Sequence, residues 1–212
     1  MNENQTSATI EFDQQYANEQ LRRSRQPVRR FVKGFYLRNL LGDLNGACID
    51  FGCGAGQLLA RLPAGSVGLE VNPHLIVALR AAGLSVRQAH ADLSDFELAG
   101  LEGGGRFKSL VIAHVLEHLP DPATALRILL RSCGRLGIRK VVVVVPGAKG
   151  FASDATHKTF INRAWVDAHV PASLEGFQRR AVEYFPGNVE WLGRHYVFHE
   201  MKIIFDRSTP AG

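Results

Sequence analysis

The sequence predicts an α/β protein built on a doubly wound, mostly parallel sheet, and three observations carry that prediction. From Cys48 onward, short apolar runs alternate with stretches of helical period, the pattern of successive strand–helix–strand units. One run, Val141 to Val145, is apolar throughout, as a strand covered on both faces must be. A glycine-rich turn, Gly52-Cys53-Gly54-Ala55-Gly56, follows the first run directly.

Composition bounds the reading. A chain of 212 residues suffices for one well-packed domain, and 46% hydrophobic with 21% charged residues is the balance of a globular protein rather than a disordered or fibrous one. The three cysteines, Cys48, Cys53 and Cys133, form no CxxC pair, and their odd number argues against a disulfide framework and for a reducing compartment. The first 20 residues lack the basic start and apolar run of a secretory signal, so a cytoplasmic location is expected. The longest apolar run falls far short of the ~20 residues that a membrane helix needs, so no integral membrane segment is expected.

Taken in order, residues 1 to about 20 lack periodicity and read as a frayed arm. An amphipathic helix begins near Pro27, with Val28, Phe31, Val32, Phe35 and Leu40 on its core face. Arg22, Arg23, Arg25, Arg29, Arg30, Lys33 and Arg38 crowd the same stretch and account for the uneven placement of the +5 net charge. Residues 1–46 therefore form an arm and basic helix ahead of a domain spanning 47–212. Strands are expected at Ala47–Phe51, Ser66–Val71, Ser85–His90, Lys108–Ala113 and Ile138–Val145. Helices are expected at Gln57–Leu62, Pro73–Ala82 and Asp121–Arg135, with Gly83 and Gly137 placed where helices end. After Pro146 the rhythm breaks, and a helix around Asn162–His169 precedes two strand-like runs, Ala181–Phe185 and Tyr196–Phe205, which read as an antiparallel pair at the sheet edge. There is no internal repeat.

The chemistry concentrates at strand ends. In Ile49-Asp50-Phe51-Gly52-Cys53-Gly54-Ala55-Gly56-Gln57 an acid in the strand precedes a turn whose glycines permit tight bending and close approach to an anionic or zwitterionic ligand. The dinucleotide fingerprint G-x-G-x-x-G/A needs a small residue where this sequence has Gln57, so that reading fails. Glu70, at the end of the next strand and fourteen residues beyond Gly56, can accept the hydroxyl protons of a ribose; the plainer alternative is a solvated strand-end acid. After the third strand, Asp92 can accept from an adenine amino group while Val71 and Leu93 flank the ring. The fourth strand runs through Ala113 into His114-Val115-Leu116-Glu117-His118-Leu119.

In order and spacing, Asp50 to Gly56, Glu70, Asp92 and Ala113 to Leu119 resemble the four cofactor motifs of the class I methyltransferases that use S-adenosylmethionine (SAM), especially the group acting on small molecules and glycans. The resemblance covers residues 47 to about 146. It implies a Rossmann-like sheet of seven strands with the last pair antiparallel. It also implies that Gly52, Gly54 and Gly56 hold the methionine moiety, Glu70 the ribose, and Asp92 and Leu93 the adenine, with His114 near the sulfonium.

The segment His114 to His118 also matches the inverted zinc-protease pattern H-x-x-E-H, but an apolar strand runs straight into it and Pro120 follows, leaving no room for the helix such a site requires. No metal is expected. Ser153 to Phe160 is similar to a D-x-x-H segment that lines the acceptor pocket of several glycan and natural-product methyltransferases. There His157 would take a proton from the acceptor and Asp154 would orient it; alternatively Asp154 caps the next helix and His157 bonds within its loop. The other histidines, His118 among them, read as surface or satisfied core residues. Residues 147–195 are expected to cap the acceptor site. The function expected is methyl transfer to oxygen or nitrogen of a small-molecule or glycan acceptor, with an anionic acceptor favoured by the basic helix. An RNA methyltransferase and a non-catalytic SAM-binding regulator are the alternatives.

Overall fold

The computed structural model describes residues 14–25, 27–101 and 105–207. Two helices, α1 (Gln14–Arg25) and α2 (Pro27–Asp43), precede the sheet. The expected arm is thus already helical from Gln14, with Ala17 buried. The side chains of Arg23, Arg25, Val28, Arg29, Arg30, Phe31, Val32 and Lys33 lie outside the described residues. Beyond them the core face of α2 carries Leu37 and Leu40, and Phe35 is 55% exposed rather than buried. At 3.6 residues per turn, Phe35 stands about 200° of helix away from Leu37 and cannot share its face.

The sheet comprises β1 (Cys48–Phe51), β2 (Val67–Glu70), β3 (Val86–Gln88), β4 (Ser109–Ala113), β5 (Lys140–Pro146), β6 (Ser173–Leu174), β7 (Phe177–Phe185) and β8 (Glu200–Arg207), in the spatial order β3-β2-β1-β4-β5-β8-β7-β6. The first five strands are parallel and the last three antiparallel. The eighth strand beyond the expected seven is β6, whose two residues are too few to show any period. The expected antiparallel pair lies at the end of the sheet, with β8 beside β5, β7 next to it and only the two-residue β6 beyond, while residues 196–199 stand outside β8. A register shift between Arg179 and Ala181 interrupts the alternation that would have marked the start of β7.

Alternation along the central strands sorts the core into two layers. Ile49 and Phe51, Leu110 and Ile112, and Val141, Val143 and Val145 pack with Leu126, Leu129, Leu130 and Cys133 of α4 (Pro122–Leu136). Cys48, Val111, Val142 and Val144 pack on the other side with Leu37 and Leu40 of α2. Asp121 caps α4 by accepting from the Thr124 amide, and Gly137 ends it in a left-handed conformation at φ 76°. The buried Lys202 of β8 donates to Asn39 and pairs with Asp43, which ties α2 to the antiparallel half of the sheet.

Three shorter helices complete the chain: α3 (Pro73–Ala81), capped by Asn72, α5 (Ala148–Ala152), and α6 (Arg163–His169), capped by Asn162. The helix expected over Gln57–Leu62 reduces to one 3-10 turn, Leu59–Arg61, since the glycine turn on one side and Pro63 on the other leave room for little more. Leu129 is fully buried between α4 and the sheet, and Leu129→Ala is expected to destabilise the fold by about 2–5 kcal/mol in a denaturant titration.

Candidate functional site

Because the first five strands run parallel, their carboxyl ends share one edge of the sheet, and the strand order lays the functional groups out along it in a row. On β1, Asp50 is buried just before the glycine turn. The turn is stitched to β2: the amides of Gly52 and Cys53 donate to the Leu69 carbonyl at 2.9 and 3.0 Å, and the Gly54 amide donates to Glu70 Oε2 at 2.7 Å. Gly52, Gly54 and Gly56 all have positive φ, but they serve different needs. A Cβ on Gly56 would stand 2.5 Å from the side-chain end Leu79 Cδ2, and its φ of 69° is what calls for glycine there. A Cβ on Gly54 would meet nothing within 4 Å, so the ground above it is open to a ligand.

Glu70 is buried, and besides Gly54 it accepts from the amides of Val71 and Asn72, each at 2.9 Å. Three of the roughly four acceptor directions of a carboxylate thus already take backbone amides, so a ribose hydroxyl here shares the group with Gly54 rather than finding it unengaged. Val71 is half-buried beside it. Asp92 accepts from the Ser94 amide at 2.7 Å and from the Ser94 hydroxyl, both at Oδ1. Those bonds hold its pKa below the usual carboxylate range, so it presents an ionised acceptor. Next to it, Leu93 leaves 47% of its surface to solvent, a flat apolar platform of the kind a purine ring covers. Open ground at Gly54, a carboxylate at Glu70 and the Asp92–Leu93 platform fit a nucleoside carrying an amino-acid tail.

Ala113 ends β4, and His114 follows it in a left-handed conformation, φ 57°, which is rare for a non-glycine residue. Its Nε2 donates to Glu200 Oε1 at 2.8 Å, and its Nδ1 lies 3.4 Å from Glu117 Oε1. Desolvation opposes a charge there, but Glu200 and Glu117 outweigh it and hold the imidazole protonated, with a pKa of about 10. Glu117 is fully buried, and neither of its carboxylate oxygens has a hydrogen-bond partner. The Tyr36 hydroxyl of α2 is likewise buried without such a partner, and burial together with Glu200, Asp50 and Glu117 pushes its pKa well up.

None of Tyr36, Glu117 and Glu200 was a candidate from sequence. Glu117 lies within the fourth motif, Ala113 to Leu119, and in the zinc-like pattern without a role of its own, and Glu200 and Tyr36 reach the site from opposite ends of the chain, with no local signal. The pattern itself forms no helix, since Leu116–His118 is a single 3-10 turn.

The Asp154–His157 pair requires a correction. Asp154 does not orient His157: its Oδ1 accepts from the Thr156 amide at 2.9 Å and the Thr156 hydroxyl at 2.7 Å, while His157 reaches Asp154 only through the backbone. Nor does Asp154 cap α6, where Asn162 takes that place. Burial works against its charge, but the Thr156 bonds and the neighbouring His157 and His118 hold its pKa below the usual range. His157 is almost enclosed: its Nδ1 donates to the Phe151 carbonyl at 2.8 Å, its ring stacks on Phe151, and its Nε2 lies 3.9 Å from Glu117 Oε1. His118, read as bland from sequence, stands edge-on to His157 at 4.8 Å between ring centroids. The Glu117 carbonyl accepts from the amides of Lys158 and Thr159, clamping this loop to the one after β4. His199, also read as bland, is fully buried beside Tyr184.

Beyond β5 a cavity of about 320 Å³ opens, walled by Phe160, Tyr184, Glu190, Trp191, Arg194 and Met201 among others. Phe160 packs on Phe151, so the cavity wall is continuous with the ring that supports His157. Among the described residues, no helix is long and apolar enough to cross a membrane.

Comparison with known proteins agrees with this geometry. Residues 21–178 match the family model described as a methyltransferase domain. A ubiquinone biosynthesis O-methyltransferase of Xanthomonas oryzae pv. oryzae is 34% identical over 116 residues, covering 52% of this chain and 44% of that relative, so the chain spans less than half the length of the relative it matches. A SAM-dependent methyltransferase from Archaeoglobus fulgidus superposes with a TM-score of 0.61 at 20% identity, covering 84% of this chain and 94% of its own. The magnesium protoporphyrin IX methyltransferase of Synechocystis with bound S-adenosylhomocysteine superposes with a TM-score of 0.62 at 13% identity, covering 96% and 100%. With three quarters of its length inside the family model and the cofactor ledge formed at the carboxyl edge of its sheet, the chain belongs to the class I methyltransferases, whose cofactor is S-adenosylmethionine.

Proposed function

We propose that this chain transfers a methyl group from SAM to a hydroxyl of a small, ring-containing acceptor that carries an anionic group. The observation that carries the reading is the placement, along one sheet edge, of the glycine turn on one side of His114 and an aromatic-walled cavity containing Arg194 on the other. When bound, SAM supplies an electrophilic methyl carbon on a cationic sulfur.

In this reading Asp50, Gly52, Gly54, Gly56 and Glu70 seat the methionine and ribose, Val71, Asp92 and Leu93 seat the adenine, and Ala113 and His114 border the sulfur. One imidazolium shared by the Glu117 and Glu200 carboxylates leaves that border with net negative charge, which favours a neighbouring cation. Residues 147–195 supply all the cavity walls except Pro146 and Met201, and so act as the acceptor cap. α2 closes over the opposite side through Tyr36.

The cavity volume suits a compact molecule better than an extended glycan, and Phe160, Trp191 and Tyr184 suit a planar one. The name of the Xanthomonas relative supports oxygen as the acceptor atom. The near-enclosed His157 stacks on Phe151, whose ring packs on Phe160 of the cavity wall. An RNA acceptor has one observation in its favour, the exposed Phe35 three residues from the exposed Arg38. It predicts salt-sensitive RNA binding, and no binding at low salt disposes of it.

Calorimetric titration is expected to show saturable SAM binding that Gly54→Arg abolishes in a chain that stays folded by circular dichroism. A folded wild-type chain that fails to bind SAM overturns the proposal, and binding without turnover on any acceptor favours a regulatory role. Glu70→Gln replaces an acceptor oxygen facing backbone amides with a donor, so it is expected to weaken SAM binding and to lower stability by about 1–3 kcal/mol in urea unfolding. Arg194→Ala is expected to raise KM for a carboxylated catechol such as 3,4-dihydroxybenzoate by about tenfold or more, a charge-assisted hydrogen bond's worth, and to leave KM for neutral catechol unchanged. Equal effects on both would remove the anionic group from the reading.

A further inference from the structure

We infer that Glu117, His118 and His157 form a divalent transition-metal site at the acceptor side of the cleft. One ligand atom from each lies within 4.8 Å of the other two. Tetrahedral ligands at about 2.0 Å from a metal stand about 3.3 Å apart, so small side-chain rotations close the set around an ion.

Hydrogen bonding sets both imidazoles in the tautomer that ligation needs. His157 Nδ1 faces a carbonyl oxygen, which can only accept, so Nδ1 carries a proton and Nε2, 3.9 Å from Glu117 Oε1, is the nitrogen placed to ligate. His118 Nδ1 lies 3.0 Å from Thr156 Oγ1, whose own hydroxyl proton is donated to Asp154 Oδ1. Thr156 therefore accepts from His118 Nδ1–H, which makes Nε2 the His118 nitrogen that would ligate. A carboxylate that fixes a histidine through its second nitrogen, here relayed by one hydroxyl, is the arrangement that supports metal-ligating histidines.

Charge points the same way. Glu117 is fully buried with no hydrogen bond to either oxygen, and the nearest cation, His114, is held more closely by Glu200, at 2.8 Å against 3.4 Å. Beyond that contact, His157 Nε2 stands 3.9 Å from Glu117 Oε1, and His118 brings a ligand atom within 4.8 Å of both residues. A buried carboxylate whose oxygens accept no hydrogen bond is costly, and a metal ion bound to those oxygens would offset that cost. The backbone bonds from Lys158 and Thr159 to the Glu117 carbonyl hold the two ligand-bearing loops in register before any metal arrives.

Two imidazoles and one carboxylate suit Zn²⁺, Co²⁺, Fe²⁺ or Mn²⁺ better than Mg²⁺ or Ca²⁺, which prefer all-oxygen shells. With three protein ligands the ion keeps at least one open position, and an acceptor hydroxyl bound there would lose its proton more readily. The use of the site, though not the site itself, rests on the methyltransfer reading. His157 then acts as a ligand rather than as the expected base.

The test uses untagged full chain, stripped with chelator and titrated with Co²⁺ and then Zn²⁺ in the absence of SAM and acceptor. One Co²⁺ per chain is expected, with visible d–d absorption of a four- or five-coordinate site and displacement by Zn²⁺. Even supporting residues typically contribute about 10–100-fold to affinity, so His118→Ala and His157→Ala should each weaken binding by at least that factor, and Thr156→Val, which cuts the Asp154 relay without touching a ligand, by about tenfold. A folded wild-type chain that takes up no Co²⁺, or uptake that His118→Ala and His157→Ala leave unchanged, overturns the proposal. SAM binding measured on the same samples keeps failure of the metal site apart from failure of the methyltransferase reading.

Discussion

The two-sided burial of β1, β4 and β5 is the constraint on which the rest of the molecule depends. Val141 to Val145 are all buried, alternating between the α4 layer and the α2 layer, and a strand without a wet face needs a helix on each side. Parallel pairing at the centre then requires crossovers, and crossovers send every strand end to the same edge. At that edge the order reverses between β1 and β4, since β1 continues to β2 and β3 on one side and β4 to β5 on the other. The glycine turn and His114 flank that reversal, where an open α/β sheet leaves a crevice.

The antiparallel end of the sheet extends this crevice into a site of two parts. By entering next to β5 in the opposite direction, β8 brings its first residue, Glu200, level with Pro146 at the carboxyl edge. Glu200 could not stand there if β8 ran parallel, because its start would then lie at the other edge. The same strand carries Lys202, whose link to Asn39 and Asp43 anchors α2 and with it Tyr36. One strand direction thus governs both the charge around His114 and the closure of the N-terminal helix.

The buried polar cluster around Glu117 departs from the economy of the rest of the core. A buried polar group satisfied within the chain is Ser109, which exchanges hydrogen bonds with the Asn45 backbone. Around Glu117, carboxylates, a phenol and three imidazoles converge with several oxygens lacking hydrogen-bond partners. Burial of this kind lowers stability unless something outside the chain completes it, so such a cluster marks a site rather than a packing solution.

The sequence by itself determined the parallel strands, the glycine turn, and the positions of Glu70, Asp92 and His114, because these depend on short-range period and on residues a strand end apart. The crossover geometry of a parallel sheet converts that local order into spatial order with little freedom. What only the tertiary structure decided was long-range: β8 rather than β7 beside β5, the exposure of Phe35, the reassignment of Asp154 from His157 to Thr156 and His118, and the meeting of Tyr36, Glu117 and Glu200. Those contacts join residues from opposite ends of the chain or depend on which way a side chain turns within a loop. Neither is encoded in spacing, since each follows from which surfaces remain uncovered once the central strands have been buried.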